Sequence, residues 1–371
     1  MTDDAITQPE REDLSRFILT SDKLSQGPCV RLFEKQWSEW MGCKYSVFVN
    51  SGSSANLMLV RAFSNLKNWV AQSCTWSTTI SPIIQNNGSI TLCDVSFKDF
   101  SPDLVELEKI FKEQNTQCLF LTHLLGFCAL SDDLLDLCDK YDVTLLEDCC
   151  ESHGATFKGK KVGTFGKGSS FSFFYGHHMT TIEGGMVCTD DEELYHELLL
   201  LRSHGLLREL PENNRKDRQI PGVNSAFCFL RDGYNLRNTE INARLGILQL
   251  PQLDEAIEYR NKLLGIFLDN LDSDKYITDY KTDGCSNFAF PIFVKKRELM
   301  SNVYDILNKK QVEYRPCIAG NLHNHPLTKD IPNTYSDKNA EMIHNNCIYI
   351  GNHKDVSPED VLNLCKELNT V

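Results

Sequence analysis

Two adjacent histidines lie near the middle of the chain, in the segment FFYGHHMTTIEGGM, where His177 and His178 follow a short aromatic run. Imidazole titrates near neutral pH, so a histidine at this place could carry a proton during a reaction. A lone histidine is more often structural than catalytic. The surrounding motifs must therefore indicate whether His177 has a catalytic role.

An acidic residue follows a predicted buried strand in the segment VTLLEDCCESHGA. Asp148 stands at the carboxyl end of this strand, which is the edge where open α/β sheets bind ligands. If the ligand were a pyridoxal ring, the Asp148 carboxylate would pair with the pyridine nitrogen and keep it protonated, so that the ring could accept electrons. Taken alone, the motif favours an ordinary solvated acid.

Small residues precede a predicted helix in NSGSSANLMLV, where backbone N–H groups and the helix dipole could hold a phosphate. Ser172 of SFFYGHH could donate a further hydrogen bond to the same phosphate, and Trp76 of CTWSTT could stack on a flat cofactor ring. Each signal has an ordinary alternative, a serine helix cap or a core tryptophan. Their combination is what points to a cofactor site.

Alternating strand and helix patterns predict an α/β fold with a mainly parallel sheet. Residues 118–122 are an apolar run of strand length, a helix pattern follows, and VTLLE is the next strand, which together make a parallel crossover unit. Thr189 and Glu192 have the spacing of a capping box at the start of a helix. Ser357 and Pro358 indicate the start of a final helix.

The pattern changes beyond residue 222, where helical runs separated at Pro251 are followed by an α+β remainder. A single core stops growing at roughly 250–300 residues, and the chain has 371, so two domains are expected. We predict a large cofactor-binding domain at residues 1–250 and a small α+β domain at residues 251–371. Residues 1–25 could pack on the small domain.

The composition excludes several classes of function. A formal net charge of −13 argues against an extended basic face for non-specific binding to nucleic acid or an anionic membrane. No stretch approaches the ~20 apolar residues of a membrane span, and the N-terminal run lacks the apolar core of a signal peptide, so we expect a cytoplasmic protein. The 15 cysteines lack the spacing of a metal cluster, so no metal site is predicted.

Five motifs in order, SGSSANL, TWSTT, LLEDCCESHGATFKGKKVGTFG, SFFYGHHMTTIEGGM and GYNLR, resemble the DegT/DnrJ/EryC1/StrS family of sugar aminotransferases and dehydratases. These are fold-type I pyridoxal phosphate proteins, and the likeness runs from about residue 30 to the C-terminus. The resemblance implies the aminotransferase fold and a pyridoxal or pyridoxamine 5'-phosphate cofactor. It also implies a homodimer with shared active sites.

Family aminotransferases carry a Schiff-base lysine where this chain has His177, and counting from Ser172 or back from Glu183 gives the same position. Imidazole cannot form a Schiff base, and the replacement resembles the 3-dehydratase branch. The resemblance implies that the protein removes the C3 hydroxyl group of GDP-4-keto-6-deoxy-D-mannose, with L-glutamate as amino donor and release of ammonia, in colitose and O-antigen biosynthesis. The chain has no C-x-C pair, which disfavours the related branch that carries a [2Fe–2S] cluster.

The same resemblance implies roles for individual residues. His177 would be the catalytic base. The implied cofactor contacts are Gly52, Ser53, Trp76, Asp148, Glu151, Ser172 and Asn235, the last of which would reach the cofactor of the partner subunit. The candidate substrate contacts are His178, Arg208 and Arg315. Residues 202–218 hold five basic residues that could meet the nucleotide diphosphate or could form a solvated loop.

Two alternatives remain open at this point. One is the same chemistry on a CDP- or dTDP-linked sugar, and the other is a non-catalytic cofactor-binding protein that has lost its lysine. The chain also departs from the family pattern twice. The segment KNWVAQSCTW follows the preceding helix after fewer residues than is usual in the family. Gly176 stands where relatives have a hydroxyl-bearing residue, so a hydrogen bond that orients the histidine could be missing.

Overall fold

The computed structural model describes residues 5–371. These residues group into two compact units. One unit consists of Leu66–Val162 and Gln252–Val371, and the other consists of residues 5–65 and Gly163–Pro251. The predicted division into a large and a small domain, and the predicted packing of the N-terminal segment, remain predictions.

The regular elements are numbered along the chain. The strands are β1 (Tyr45–Val49), β2 (Asn68–Gln72), β3 (Ser89–Cys93), β4 (Cys118–Thr122), β5 (Thr144–Asp148), β6 (Thr156–Phe157), β7 (Lys160–Lys161), β8 (Gly168–Ser172), β9 (Gly185–Thr189), β10 (Ala289–Phe293), β11 (Tyr314–Pro316) and β12 (Cys347–Gly351). The α-helices are α1 (Gln8–Thr20), α2 (Pro28–Met41), α3 (Gly52–Ala62), α4 (Ser77–Gln85), α5 (Leu104–Gln114), α6 (Asp132–Lys140), α7 (Glu192–Arg202), α8 (Glu240–Gln249), α9 (Leu253–Asn270), α10 (Met300–Lys309), α11 (Lys338–Asn346) and α12 (Pro358–Leu368).

The first unit is built on a parallel sheet with the strand order β5, β4, β2 and β3. Helices α4, α5 and α6 connect successive strands, as the crossover pattern predicts. Every residue of β4 is buried, which explains why its sequence CLFLT shows no polar alternation. The predicted α/β fold with parallel strands is confirmed. Because β4 and β5 are parallel, their carboxyl ends meet at one edge, with Thr122 opposite Asp148.

A second sheet of this unit is antiparallel, with the strand order β10, β12 and β11. Helices and strands pack around one apolar core that includes Phe267 of α9, Phe293 of β10, Val303 of α10 and Val361 of α12. This part of the chain therefore has the α+β character that its sequence predicts.

The other unit contains an antiparallel ladder in which β9 lies between β1 and β8. Its core is aromatic, and the rings in mutual contact are those of Phe33, Trp37, Phe48, Phe171 and Phe173. The centroids of Trp37 and Phe173 are 4.8 Å apart and the two rings are nearly perpendicular, a favourable aromatic geometry. This packing fixes the end of β8, from which the segment with the two histidines continues.

Helix α7 begins at a different residue from the one predicted. Thr189 is the last residue of β9, and its hydroxyl group donates to the carbonyl oxygen of Lys167 at 2.7 Å. Asp191 is the N-cap, and its carboxylate accepts hydrogen bonds from two backbone N–H groups of the first turn. The predicted capping box of Thr189 and Glu192 is therefore wrong, because the strand ladder extends through Thr189.

All 15 cysteines are free thiols, and most of them are buried. This is the usual behaviour of cysteine as a small hydrophobic residue. None of the helices within residues 5–371 is both long and apolar enough to span a membrane.

Candidate active site

Asp148 lies at the carboxyl end of β5, as predicted, and it is 3% exposed. The hydroxyl group of Thr79 donates to its Oδ2 at 2.9 Å, and the backbone N–H of Cys150 donates to its Oδ1 at 3.1 Å. Both carboxylate oxygens therefore have donors, which compensates for the loss of water around a buried charge. The ordinary alternative of a solvated acid at a strand end is excluded by this burial.

The buried side chains of His123 and Glu147 contact each other next to the end of β5. Backbone N–H of Ala129 donates to His123 Nδ1 at 3.1 Å, so the ring hydrogen of neutral His123 is on Nε2, which lies 3.2 Å from Glu147 Oε2. The backbone N–H of His123 donates to the Asp148 carbonyl oxygen at 2.9 Å, and its own carbonyl accepts from the Ser152 hydroxyl at 2.7 Å. Hydrogen bonds thus connect the segment that follows β4 with the segment that follows β5.

His123, Glu147 and Cys149 bring potential metal-ligand atoms within 4.8 Å of one another. Both ring nitrogens of His123 already take part in hydrogen bonds, and burial raises the pKa of the Cys149 thiol well above its usual range. A bound metal would have to displace a hydrogen bond of a His123 ring nitrogen and to deprotonate the Cys149 thiol. The absence of a metal from this protein stays a prediction.

Glu151 is three residues after Asp148, in the turn that follows β5. Its Oε2 accepts a hydrogen bond from the backbone N–H of Leu125 at 2.9 Å. Burial of the carboxyl group raises its pKa to about 8, and the charge of Asp148 adds to this effect, while the hydrogen bond from Leu125 opposes it. The group is therefore mostly protonated at pH 7 and can donate a hydrogen bond to a ligand oxygen.

Trp76 is the residue directly before α4, the helix that carries Thr79. Its side chain is 55% exposed, so the alternative of an ordinary core tryptophan is wrong. An exposed indole face is available for stacking on a flat ring.

The N-terminus of α3 has the features expected of a phosphate site. Ser51 is the N-cap, and its hydroxyl accepts a hydrogen bond from the Ser54 N–H at 3.1 Å, while Gly52 and Ser53 form the first turn. Strand β9 passes so close that a Cβ atom on Gly185 would lie 2.3 Å from the Ser51 carbonyl oxygen and 2.7 Å from the Gly52 nitrogen. Only glycine at position 185 leaves this helix start undisturbed.

Ser172 is the last residue of β8 and is 8% exposed. Its hydroxyl oxygen accepts from the backbone N–H of Phe174 at 3.3 Å. Helix α3 is held to the same strand by a hydrogen bond of 2.5 Å from Ser170 to Asn56. The end of β8 and the start of α3 therefore belong to one packed substructure.

His177 lies on the loop that follows β8. Its backbone N–H donates to the carbonyl oxygen of Phe174 at 3.0 Å, and its ring meets the Phe174 ring edge-on at 6.2 Å between centroids. The loop is closed at its base by a hydrogen bond of 3.0 Å from the Thr181 N–H to the Phe173 carbonyl. His177 is partly exposed, whereas His178 is 7% exposed. Of the two histidines, His177 is the one with an accessible side chain.

Asn235 is exposed, and its backbone forms a bridge with Ser203. Its side-chain oxygen accepts from Arg237 Nε at 3.0 Å. The predicted contact of Asn235 with the cofactor of a partner subunit stays a prediction.

The basic segment 202–218 is not uniform. Arg202 is 3% exposed, and its guanidinium group donates to Glu34 at 2.5 Å and to the Phe48 carbonyl at 3.0 Å. It is therefore a buried structural residue and is not accessible to a ligand. Arg208 is exposed, and its guanidinium lies 5.4 Å from the centre of the exposed Phe227 ring. Arg202 is therefore not part of a solvated loop, whereas Arg208 lies on the surface.

Arg315 lies on β11, where its Nη2 donates to Glu313 at 2.9 Å. It is opposite Tyr349 of β12 in the ladder. Burial raises the pKa of Tyr349, and the nearby carboxyl group of Glu151 adds to the effect. Tyr349 thus connects the strand of Arg315 with the surroundings of Glu151.

The sequence did not indicate roles for three residues that support the candidate site residues: Thr79, His123 and Gly185. Thr79 is three residues after Trp76, and His123 directly follows a strand that ends at the same edge as β5. The position of His123 directly after β4 could have indicated a role at this sheet edge, whereas Thr79 lies within α4. The close approach at Gly185 left no signal beyond the glycine itself.

A parallel α/β sheet that holds a buried carboxylate at its edge is typical of ligand-binding α/β proteins. A helix start lined by glycine is, separately, typical of anion sites. The family model described as "DegT/DnrJ/EryC1/StrS aminotransferase family" matches residues 5–369. The chain belongs to this family, and the resemblance inferred from its motifs is confirmed.

Relatives and solved structures agree with this membership. GDP-4-keto-6-deoxy-D-mannose 3-dehydratase of Yersinia pseudotuberculosis is 35% identical over 363 residues, which cover 94% of this chain and 92% of the relative. The Escherichia coli enzyme of the same name with bound hydrated PLP has a TM-score of 0.91 at 32% identity and covers 98% of this chain and 97% of its own. A structure of this dehydratase with a trapped PLP–glutamate geminal diamine has a TM-score of 0.88 at 32% identity, with 96% of both chains covered.

Proposed function

We propose that this protein removes the C3 hydroxyl group of GDP-4-keto-6-deoxy-D-mannose, with pyridoxal 5'-phosphate as cofactor and L-glutamate as amino donor. The products are a 4-keto-3,6-dideoxy sugar, ammonia and 2-oxoglutarate. The single observation that carries the proposal is His177 in place of the Schiff-base lysine of the family's aminotransferases. The names of the related proteins, and the PLP and glutamate in their structures, support it.

The residues around the strand edge fit this cofactor. A carboxylate held by Thr79 and the Cys150 N–H suits a protonated pyridine nitrogen, which is the role proposed for Asp148. The exposed indole of Trp76 would cover the ring, and the protonated carboxyl group of Glu151 would donate to the ring oxygen. When bound, the cofactor supplies the amine that condenses with the C4 ketone of the sugar and a ring that accepts electrons.

The helix start at Ser51 has the features of a site for the cofactor phosphate. Gly52 and Ser53 are proposed phosphate contacts because the dipole of a helix favours an anion at its N-terminus, and the Ser172 hydroxyl group is proposed as a further donor. The clash that any Cβ at Gly185 would cause with Ser51 indicates how closely the backbone is drawn around this helix start.

His177 is the proposed catalytic base and acid. Its imidazole takes up the proton that the reaction releases and, as imidazolium, gives a proton to the C3 oxygen of the sugar as this hydroxyl group leaves. Imidazole forms no covalent bond with the cofactor aldehyde, so the lysine-dependent route of amino transfer is closed. The loop anchored at Phe173 and Thr181 holds this partly exposed ring in place.

Substrate contacts are proposed for His178, Arg208 and Arg315. Exposed guanidinium groups suit the diphosphate of a nucleotide sugar, and both arginines are exposed. His178 is buried, so its proposed contribution is to the shape of the pocket wall.

We also propose a homodimer in which Asn235 reaches the cofactor phosphate of the partner subunit. The exposure of Asn235 on one protomer leaves it accessible to a second. The cytoplasm is the proposed site of action, and the free thiols of the chain are typical of a reducing compartment.

The test is turnover of GDP-4-keto-6-deoxy-D-mannose with PLP and L-glutamate, followed by an ammonia assay and by mass spectrometry of the sugar. His177→Asn should retain the absorbance of bound cofactor and release ammonia roughly 10²–10⁴-fold more slowly. The adjacent His178→Asn is the matched variant, and we expect it to change mainly KM and to keep kcat within about tenfold.

Full activity of His177→Asn would remove the proposed role of this residue. A panel of GDP-, CDP- and dTDP-linked 4-keto-6-deoxy sugars separates the substrate alternatives, because only the preferred nucleotide should give product. Bound cofactor without ammonia release from any of these sugars would favour the non-catalytic alternative.

A further inference from the structure

Cys43 occupies a defined position at the end of α2. Gly42 ends this helix with a φ of 81°, and the backbone N–H of Cys43 donates to the Ser38 carbonyl at 3.2 Å. This left-handed helix end turns the chain back toward β1 and fixes the thiol beside the β1–β9 ladder. Cys43 is partly exposed, which most cysteines of this chain are not.

A second thiol lies next to Cys43 on the ladder. Ser46 of β1 is paired directly with Cys188 of β9. Its hydroxyl oxygen lies 3.7 Å from Cys43 Sγ and 3.4 Å from Cys188 Sγ, and the Ser38 hydroxyl lies 2.7 Å from it. Two thiols that are distant in sequence thus share one hydroxyl group.

The two thiols differ in acidity. A hydrogen bond from Cys188, the largest cause, lowers the pKa of Cys43 to about 7, and the hydroxyl groups of Ser46 and Ser38 act in the same direction. Partial burial and the carboxylate of Asp190 oppose this shift. Burial raises the pKa of Cys188 well above its usual range. Of the two thiols, the more exposed Cys43 is therefore the first to ionise as pH rises, although its Sγ also lies 3.6 Å from the Tyr45 carbonyl oxygen, to which a protonated thiol can donate.

Cys29 and Cys150, the other partly exposed cysteines, are different. Burial and the carboxylate of Glu240 raise the pKa of Cys29. Burial and the carboxylate of Asp148 raise that of Cys150. Cys29 thus provides a matched control with similar exposure and opposite electrostatics.

We propose that Cys43 and Cys188 form an oxidisable thiol pair, in which Cys43 attacks a peroxide and Cys188 resolves the product as a disulfide. In the first step, the Cys43 sulfur forms a bond to one peroxide oxygen, the O–O bond breaks, and hydroxide leaves. In the second step, the Cys188 sulfur attacks the Cys43 sulfur, the S–O bond breaks, and water leaves. Two thiols lose two electrons, and one hydrogen peroxide becomes two waters.

The disulfide would connect the end of α2 with β9. Strand β9 begins at Gly185, the residue that lies against the helix start at Ser51. Oxidation would therefore brace the strand that borders this helix start. The thiol chemistry itself needs neither cofactor nor substrate, so it can hold even where the proposed function fails.

The first test is alkylation of the intact holoprotein with iodoacetamide across a range of pH, read for each cysteine by peptide mass spectrometry. At pH 7, Cys43 should react more than about tenfold faster than Cys29, because only the thiolate reacts. Equal rates for Cys43 and Cys29 would overturn the proposal.

The second test is mild oxidation with hydrogen peroxide. The wild-type protein should give a peptide that links Cys43 to Cys188, and Cys29→Ser should give the same link. Cys188→Ser should instead leave a sulfenic acid on Cys43 that dimedone traps, and Cys43→Ser should give neither product. A missing link in the wild-type protein, or a link from Cys43 to another cysteine, would overturn the proposal without any variant having to fold.

Discussion

Among single residues, Glu151 is a side chain whose protonation state is set by its buried surroundings. Its pKa is raised to about 8 in the folded chain, mainly by burial, from an ordinary value of 4.5. Between these values the folded chain holds a proton on Glu151 that the unfolded chain has released. The free energy of unfolding should therefore fall as pH rises from 4.5 toward 8.

Glu151→Gln removes this proton linkage and keeps an oxygen that can accept from the Leu125 N–H. We expect the variant to have a free energy of unfolding about 1–3 kcal/mol higher than wild type at pH 8, and the same value near pH 4. Urea unfolding of cofactor-free protein at both pH values measures the difference. No gain at pH 8 would mean that the wild-type carboxyl group ionises at little cost.

The hydroxyl group of Thr79 is the second residue-scale feature, since it donates to the buried carboxylate of Asp148. Thr79→Val keeps the shape and removes the donor, so we expect a loss of about 1–3 kcal/mol in the free energy of unfolding and weaker PLP binding. Ser81→Ala, which removes a hydroxyl bonded to the backbone of the same helix, is the control. Equal effects of the two substitutions would contradict a special role for Thr79.

At the scale of secondary structure, the contact between β9 and the start of α3 is the most tightly constrained feature of the candidate phosphate site. Gly185→Ala places a methyl group against the backbone of Ser51 and Gly52. We expect this to lower the free energy of unfolding by about 1–3 kcal/mol and to weaken PLP binding. Cofactor titration by fluorescence and urea unfolding measure the two effects.

Gly265→Ala is the matched control for that substitution. Gly265 lies inside α9 with open space around its Cα, so an added methyl group meets nothing. Alanine should therefore raise the free energy of unfolding by about 0.5–1 kcal/mol through helix propensity. If Gly185→Ala behaved like Gly265→Ala, the close approach of β9 would have no consequence.

The starts of α7 and α12 show which helix boundaries could be predicted from local sequence. Ser357 caps α12, as the local sequence predicted, and the structure adds a capping box with Asp360. The box predicted at Thr189 failed because pairing with Tyr45 of β1 extends β9 through that residue. Local capping signals succeed where no distant strand competes for the same backbone.

At the scale of the whole molecule, shared active sites make a distinctive prediction. If Asn235 of one protomer serves the cofactor of the other, a mixture of inactive His177→Asn and Asn235→Ala proteins should regain activity after subunit exchange. Statistical pairing leaves one intact site in half of the dimers, so about a quarter of wild-type activity is expected. Dimers whose sites were self-contained would stay inactive in this mixture.

Much of the fold and part of the site could be predicted from local patterns. The strand of Asp148, the parallel crossover order and the family followed from apolar runs, helix spacing and ordered motifs. The exposure of Trp76 and the burial of Arg202 could not be predicted, because similar motifs occur in cores and on surfaces alike. The roles of the individual site residues remain predictions that the proposed experiments test.

The sequence alone predicts a histidine at the position of the family's lysine, because spacing along a strand and its loop is a local property. Only the tertiary structure decided which groups surround each reactive atom. Thr79 reaches Asp148 across 69 positions of sequence, and Cys43 meets Cys188 through the pairing of β1 with β9. Proton affinity and thiol acidity depend on burial and on such long-range neighbours, which no local pattern encodes.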